Sequence, residues 1–517
     1  MIYIAALIVI ACLSPMLTLL HLWQVKEWRF DRLIEHLKRE GFFRQLYGTL
    51  RPMLFLVWVL IAVAGLTFRD PIFIQTIMTL GLLAILAAVS CIQMVLRKQP
   101  RPVFTGKVIL MLALSMCIAI IPLAFLPFLP FVTFVLIPLL CPLWVLLSWI
   151  ITKPVDLVLK TRTLRQATKL RLAHPNITVI GITGSVGKTT TKELILHLLK
   201  KRGALATPAH VNTEMGVARW LITILKDKPA DWKGILIVEM GAYRKGEIKL
   251  LADIAKPQIG IITFIGLQHL SLFGSVEAIR EAKGELFAAL PTEDGHAFMN
   301  HDNAASEKLK ELCRCPTTSV GTDGKADVSA LDIEEIGNGV RFTLEATKFL
   351  VPIAGTHTVT SILFAIAVAK KLGMDLASAS RELASFKPLE RTFEVKHIRG
   401  VTVLDDTYNA SPDSFRAAIS WAKNQPHKEK VLLTDGIIEL GTSEESVHTE
   451  LAKDASTVFE RVCIGNARFL SYFKENGFGD RAVLLASKPA TLKTGGLLVC
   501  IGRVPRTAID ELLPAGQ

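Results

Sequence analysis

The stretch GITGSVGKTTTKEL, beginning at Gly181, holds the residue types that a phosphate-binding turn needs. It follows the β-branched run NITVI and opens an amphipathic pattern, so a strand, a glycine turn and a helix are expected in that order. Backbone N–H groups and the dipole at a helix start favour an anion. Gly184 and Gly187 let the backbone curl close to it, Lys188 can reach terminal phosphate oxygens, and Thr189 and Thr190 offer hydroxyls to phosphate or Mg2+. The general phosphate-loop spacing wants a further glycine at position 182, which is Ile; the pattern here is the tighter Gly-x-x-Gly-Lys-Thr-Thr. Two more strand-like runs end on polar residues: ILIVEMGAYRKGEI stops its apolar part at Glu239, and IGIITFIGLQHLSLFGS leads to His269. Ligands gather at the carboxyl ends of strands in a doubly wound sheet. Thr189, Glu239 and His269 are therefore expected to meet around one metal ion, although histidine is an unusual ligand for so hard a cation as Mg2+. Taken singly, Glu239 reads as a surface acid and His269 as a loop histidine.

These residues need a scaffold, and composition says where it lies. The 517 residues suggest about three domains, and residues 1–152 are overwhelmingly apolar while 153–517 have the charge and Gly/Pro punctuation of an α/β protein. Five apolar runs approach the roughly 20 residues a membrane helix needs: Ile2–Trp23, Pro52–Phe68, Pro71–Leu96, Val108–Phe125 and Leu129–Ile151. The first lacks the basic start and clean cleavage site of a signal peptide. Basic residues crowd the loops after the first and third runs (Lys26, Arg29, Arg32, Lys38, Arg39, Arg44, Arg51; Arg97, Lys98, Arg101, Lys107), whereas Arg69 and Asp70 mark the other side. Positive-inside logic puts both basic loops in the cytoplasm and, with an odd number of spans, residue 153 onward there too. The net charge of +13 is thus read as topology plus an anionic substrate rather than nucleic-acid binding. No polar pair inside the spans suggests an ion path, so a transporter is disfavoured. Residues 153–173 form a basic linker that either lies on anionic headgroups or is a plain solvated helix. The eight cysteines include no pair of Cys-x-x-Cys motifs and are read as reduced.

The expected architecture is an α-helical membrane domain (1–152) followed by two α/β domains. The central one, 174–396, carries the phosphate loop and a hairpin-rich insert near DVSALDIEEIGNGVRFTLEATKFLVPIAG. In the C-terminal one, 397–517, the runs VTVLDD, KVLLTD, RVCIG, RAVLLA and GLLVCIG alternate with helical stretches, as in a small doubly wound, Rossmann-like sheet.

In order along residues 176–517, the motifs GITGSVGKTTT, VNTEMGVA, VEMGAYRKGEI, GLQHLSLFGSVEAIREAKGELF, FKPLERTFEV, LDDTYNASPDSF and ELG resemble those of the muramyl (Mur) ligase family, most closely the MurF-like branch that adds D-alanyl-D-alanine to a cell-wall precursor. The resemblance does not extend to 1–152, where standard members have a small domain that holds a UDP-sugar. It implies a P-loop ATPase-like central domain, ATP and one or two Mg2+ ions, and an amide formed through an acyl phosphate. By motif it implies that Lys188 and Thr189 bind phosphate and Mg2+, that Glu239 and His269 complete metal binding, and that Lys283 is carbamylated by CO2 to hold a second ion. Carbamylation needs a neutral, partly desolvated amine; without the resemblance, Lys283 is a helix-surface lysine. Arg391 is implied to reach the γ-phosphate side, and Asp406, Tyr408 and Asn409 to close over the nucleotide. His357 keeps its place in GTHTVTSILFAIAVA, but Thr358 and Ser361 replace two amides that the family sets against adenine. TDGIIELG shifts or loses an acid of its motif, and CIGRVPR stands where a basic Lys-Gly-Ser stretch is usual.

The implied partners are a carboxylate-bearing cell-wall precursor, UDP-linked or lipid-linked, an amino acid or dipeptide, membrane lipid and other envelope-synthesis enzymes, with no nucleic acid. Three functions follow: D-alanyl-D-alanine addition; a membrane-anchored ligase acting on a lipid-linked peptide or building an acidic polymer such as polyglutamate; and a non-catalytic nucleotide-binding platform. The retained set of chemistry-bearing residues argues against the last.

Overall fold

Apolar runs with no polar face can satisfy their backbone only internally, and in the first part of the chain they do so as helices. The computed structural model describes residues 2–65, 71–97, 99–123 and 134–515. They fall into two units, Met1–Thr161 and Arg162–Gln517. Among the described residues of the chain, four helices are long and apolar enough to cross a membrane: Tyr3–Val25, Gln75–Val95, Gly106–Leu123 and Cys141–Leu172. The run expected at Pro52–Phe68 forms the helix Leu50–Gly65, with a shorter apolar stretch, Leu50–Ile61. Residues 66–68 of that run, 124–125 of the fourth and 129–133 of the fifth lie outside the described residues. Cys12, Met16, Leu20, Leu83, Met111 and Val145 share one buried cluster in this unit.

The unit is more polar inside than the sequence suggests. Ser14 hydrogen-bonds Gln93 at 3.0 Å, Arg51 Nη2 donates to Gln93 at 2.8 Å, and Ser115 donates to Ser148 at 2.9 Å. Single hydroxyls and amides spaced far apart in sequence give no periodic signal, so only packing reveals these pairs.

The second unit is built on two large sheets. The first has seven strands: β1 Thr178–Thr183, β2 Ala204–Ala206, β3 Ile235–Glu239, β4 Ile259–Ile262, β5 His296–Asn300, β6 Thr317–Gly321 and β7 Val328–Ser329. Their order is β2-β3-β1-β4-β5-β6-β7 and every neighbouring pair is parallel. Both faces are covered. Ile180, Ile182, Ile237 and Ile261 join one core, while Val179, Leu236, Val238 and Ile262 join the other, the alternation a strand imposes. The chain runs from β1 to β2 and β3 on one side and then crosses β1 to β4 on the other, so the loop after β1 opens at the switch point where such sheets bind ligands.

The expected hairpins form an antiparallel sheet of β8 Leu331–Ile336, β9 Gly339–Leu344 and β10 Thr347–Val351. The second large sheet contains β11 Glu394–Ile398, β12 Val401–Asp406, β13 Lys430–Thr434, β14 Arg461–Ile464, β15 Ala482–Leu484 and β16 Leu497–Ile501. Its order is β11-β12-β16-β13-β14-β15. The five runs read as strands are strands. The sixth, β11, pairs antiparallel with β12 across the left-handed pair Arg399–Gly400 (φ 52° and 74°). Its Lys396 and His397 hide it among polar residues.

Candidate functional site

The phosphate loop is shaped by backbone crowding. Gly184 (φ 153°) passes so near β4's end that a Cβ there would stand 2.0 Å from Thr263 Oγ1. Gly187 (φ 82°) turns the chain into the helix Lys188–Leu199, a left-handed step that favours glycine. Lys188 folds back on the loop, donating to Gly184 O at 2.7 Å and Ser185 O at 3.2 Å. Burial holds its pKa below the usual lysine value, against the opposing pull of Glu239.

Thr189 and Glu239 meet as expected from strand ends: Thr189 Oγ1 donates to Glu239 Oε2 at 3.0 Å. Asn212 Nδ2 donates to the other carboxylate oxygen at 3.1 Å. Lys192, fully buried, lies 3.5 Å from Glu239 Oε2 and donates to Thr207 O at 2.9 Å. An ionised carboxylate inside a protein needs such company. His269 does not join this contact. It sits in a left-handed turn (φ 61°) with its Nδ1 against Glu439 and its ring 4.7 Å from Tyr243. Burial lowers its pKa, Glu439 opposes this, and the charges of Lys188 and Lys283 lower it further.

Lys283, on the helix Val276–Ala288, is buried rather than displayed on the surface. Burial drives its pKa well below the ordinary lysine value, and nearby Lys188 adds to the effect. Among the described residues, no three His, Cys, Asp or Glu side chains form a metal-binding group.

A cavity of about 1020 Å³ opens beside the loop, lined by Gly187 and Thr190 on one side and by His357, Ser361, Phe393 and Asp406 on others. A smaller one of about 100 Å³ is lined by Gly187, Lys188, Thr189 and Thr190 together with Asp406, Tyr408 and Asn409. His357 borders the large cavity with part of its surface exposed; the protein mass around its ring pushes its pKa down to about 4, and Phe393 packs on the ring at 4.4 Å. Thr358 spends its hydroxyl on Gly355 O at 2.7 Å. Asp406 accepts from the Phe393 N–H at 3.1 Å and is pushed up to about 7 by burial, with Asp405 adding to it. Tyr408 Oη lies 3.0 Å from His210 Nδ1 with the rings stacked at 5.1 Å.

Arg391 lies beside the turn after β12. Its guanidinium donates to Thr407 Oγ1 at 2.8 Å, Thr407 O at 3.0 Å and Val504 O at 3.4 Å, so it braces the turn after β12 and borders neither cavity. Those oxygens lie inside the protein and capture the donors.

Lys192, His210, Asn212 and Glu439 were not singled out from sequence. Lys192 had a signal, a lysine inside an otherwise buried helix face four residues after Lys188. Asn212 and Glu439 lie within the motifs VNTEMGVA and ELG, but their partners are far along the chain, as is that of His210.

Residues 182–369 match the model of the Mur ligase middle domain. Over 340 residues the chain is 37% identical to the UDP-N-acetylmuramoyl-tripeptide–D-alanyl-D-alanine ligase of Synechocystis, covering 62% of this chain and 71% of that protein. Over 325 residues it is 34% identical to the ligase of the same name from Mycobacterium bovis, covering 60% of this chain and 62% of the relative, which is less than two thirds of its length. The solved MurF ligase of Thermotoga maritima in complex with ADP is similar at 26% identity and a TM-score of 0.57, covering 67% of this chain and 82% of that one. With the phosphate loop and the turn after β12 lining one cleft, this chain belongs to the Mur ligase family of ATP-dependent amide-forming ligases.

Proposed function

We propose that this chain is a membrane-anchored ligase that activates the carboxylate of a muramyl-peptide-like acceptor with ATP and joins it to an amine, D-alanyl-D-alanine being the leading donor. The observation that carries the reading is Lys283: a lysine buried near Lys188, its pKa driven well below the ordinary lysine value by burial. Such an amine, once deprotonated, can attack CO2: the N–C bond forms as one C=O π bond opens onto oxygen, the nitrogen releases a proton, and a carbamate anion results. The donor set fits Mg2+: the Thr189 hydroxyl, the Glu239 carboxylate already held by Thr189 and Asn212, the His269 imidazole and carbamylated Lys283 would hold one or two ions. Such ions, when bound, neutralise charge on a transferring phosphoryl group.

The chain's own residues do the rest. The loop N–H groups and Lys188 hold the terminal phosphates of ATP, and an acceptor carboxylate oxygen attacks the γ-phosphorus as ADP leaves. The amine then attacks the acyl carbon and phosphate leaves. Water must be kept from the acyl phosphate, and the turn carrying Asp406, Tyr408 and Asn409 stands over the phosphate loop in position to exclude it. In this reading the chain comprises a membrane part (1–152), a basic connector (153–173), a central nucleotide-binding part (174–396) and a C-terminal part (397–517), the ligase facing the cytoplasm.

The four long apolar helices favour one second reading, a lipid-linked acceptor. The test is ADP and phosphate release by detergent-purified protein, offered D-alanyl-D-alanine or glutamate with UDP-linked or lipid-linked peptide acceptors. Turnover with the UDP-linked acceptor and the dipeptide supports the leading reading. Turnover only with a lipid-linked acceptor supports the second. Absence of any acceptor-dependent turnover with nucleotide still bound would sink both.

A further inference from the structure

The loop between β13 and the helix Glu444–Ser456 reaches across the second unit to the short helix Leu270–Phe273, which His269 opens. Three contacts define the meeting. The Glu439 carboxylate touches His269 Nδ1, the Ser271 N–H donates to Glu439 O at 3.1 Å, and Gly441 lies so close that a Cβ there would stand 3.3 Å from Ser271 Cα. Both His269 (φ 61°) and Glu439 (φ 68°) hold the left-handed backbone conformation, which strains a non-glycine residue. Strain of this kind persists where neighbouring structure enforces it, and it clusters at working sites.

The contact also has a direction. A carboxylate facing His269 Nδ1 is matched by the tautomer with the proton on Nδ1, which leaves the Nε2 lone pair for a cation. A carboxylate behind a histidine in this way fixes both the tautomer and the aim of the ring. Tyr408 and His210 form a second bridge between the same two parts of the unit, but it leaves His269 untouched.

We propose that Glu439 is a positioning residue: it turns His269 into a competent metal ligand only when the β13 loop is docked, and so ties docking of the C-terminal sheet to assembly of the metal side of the site. This rests on the reading of His269 as a ligand for Mg2+.

The experiment uses the full chain in detergent, titrated with Mn2+ with and without ADP while free Mn2+ is followed by electron paramagnetic resonance. Glu439→Ala is expected to weaken ADP-dependent Mn2+ binding about ten- to a hundredfold. Its metal-free ADP affinity and thermal midpoint should stay at wild-type values, and turnover should fall through kcat with the KM for ATP unchanged. Glu439→Gln, whose amide oxygen can still accept from Nδ1–H, should recover most of the binding. Combining Glu439→Ala with His269→Gln should cost no more than His269→Gln alone, because a residue acting through another adds nothing once that other is gone. Wild-type Mn2+ affinity in Glu439→Ala, or additive losses in the double variant, would overturn the proposal while leaving the ligase reading standing. Failure of the wild type to take up Mn2+ with ADP would instead remove the metal reading of the site and this inference with it.

Discussion

The two ends of the nucleotide cleft are built on opposite plans. At the phosphate end stand ionisable groups: Lys192, Glu239 and Lys283 are buried, and half-buried Lys188 donates to two loop carbonyls. At the other end of the large cavity stand an uncharged imidazole, a hydroxyl and aromatic rings: His357, Thr358, Phe364 and Phe393. Charge at the reacting end must be in place before reaction, because preorganised groups cost no reorganisation at the moment of transfer. A base that only has to be held can be gripped by shape. The phosphate end should therefore be intolerant of change and the far end forgiving.

The largest expected effect is at Lys283. Lys283→Ala should lower ligation by roughly a hundredfold or more, the scale of losing one preorganised electrostatic group, while ADP affinity measured by calorimetry stays within a few-fold. Added short carboxylates that mimic a carbamate should restore part of the turnover. Full activity in Lys283→Ala would end the view that this end of the cleft is over-determined. Lys188→Ala, by contrast, should lose nucleotide affinity itself.

Asp406 sharpens the comparison from the side of the β12 turn. Its folded pKa of about 7 lies above the ordinary value of 3.8. The native state then holds a proton that the unfolded state has released, so stability falls as pH rises from about 4 to 7. The full penalty above that window is on the order of 4 kcal/mol. Asp406→Asn cannot ionise. Without nucleotide it should melt with the wild type at pH 4 and clearly above it at pH 8. Equal midpoints at pH 8 would show that Asp406 is ionised without penalty and that burial there is not what sets its behaviour.

A smaller effect is expected at Gly184. Placing a methyl 2.0 Å from Thr263 Oγ1 forces a shift, at a typical overpacking cost of about 1–3 kcal/mol. Gly184→Ala should lower the thermal midpoint and weaken ATP binding together, and a variant that lost neither would show the loop to be looser than its contacts imply.

The same contrast explains what could be read from the chain. The phosphate loop was legible because its glycines, Lys188 and Thr189 are consecutive and sit between a β-branched run and an amphipathic helix. Strands β12 to β16 were legible because buried parallel strands are short unbroken apolar runs. The partners of those residues were not. Glu439 lies 170 residues from His269 and Tyr408 lies 198 from His210. Pairings of that kind are fixed by sheet topology, and a surface-looking glutamate in ELG has no periodicity to betray it. Arg391 marks the limit of reading by motif, since its guanidinium goes to Thr407 and Val504, oxygens that only the folded turn puts within reach.

The smallest effect belongs to Thr358 and Ser361. Thr358 has its hydroxyl on Gly355 and Ser361 lies at the edge of the phosphate loop, close to where a Gly187 side chain would begin. Each carries donor and acceptor on a single oxygen, not on the two spaced atoms that an amide would present to a base edge. Thr358→Asn with Ser361→Asn should therefore raise the preference for ATP over GTP by no more than about tenfold, the worth of one or two net hydrogen bonds. The change should appear in KM for the two nucleotides while kcat with ATP stays put. If kcat moved more than KM, the base end would be coupled to the chemistry, and the division of the cleft into a fixed half and an adjustable half would fail at the point where it is easiest to test.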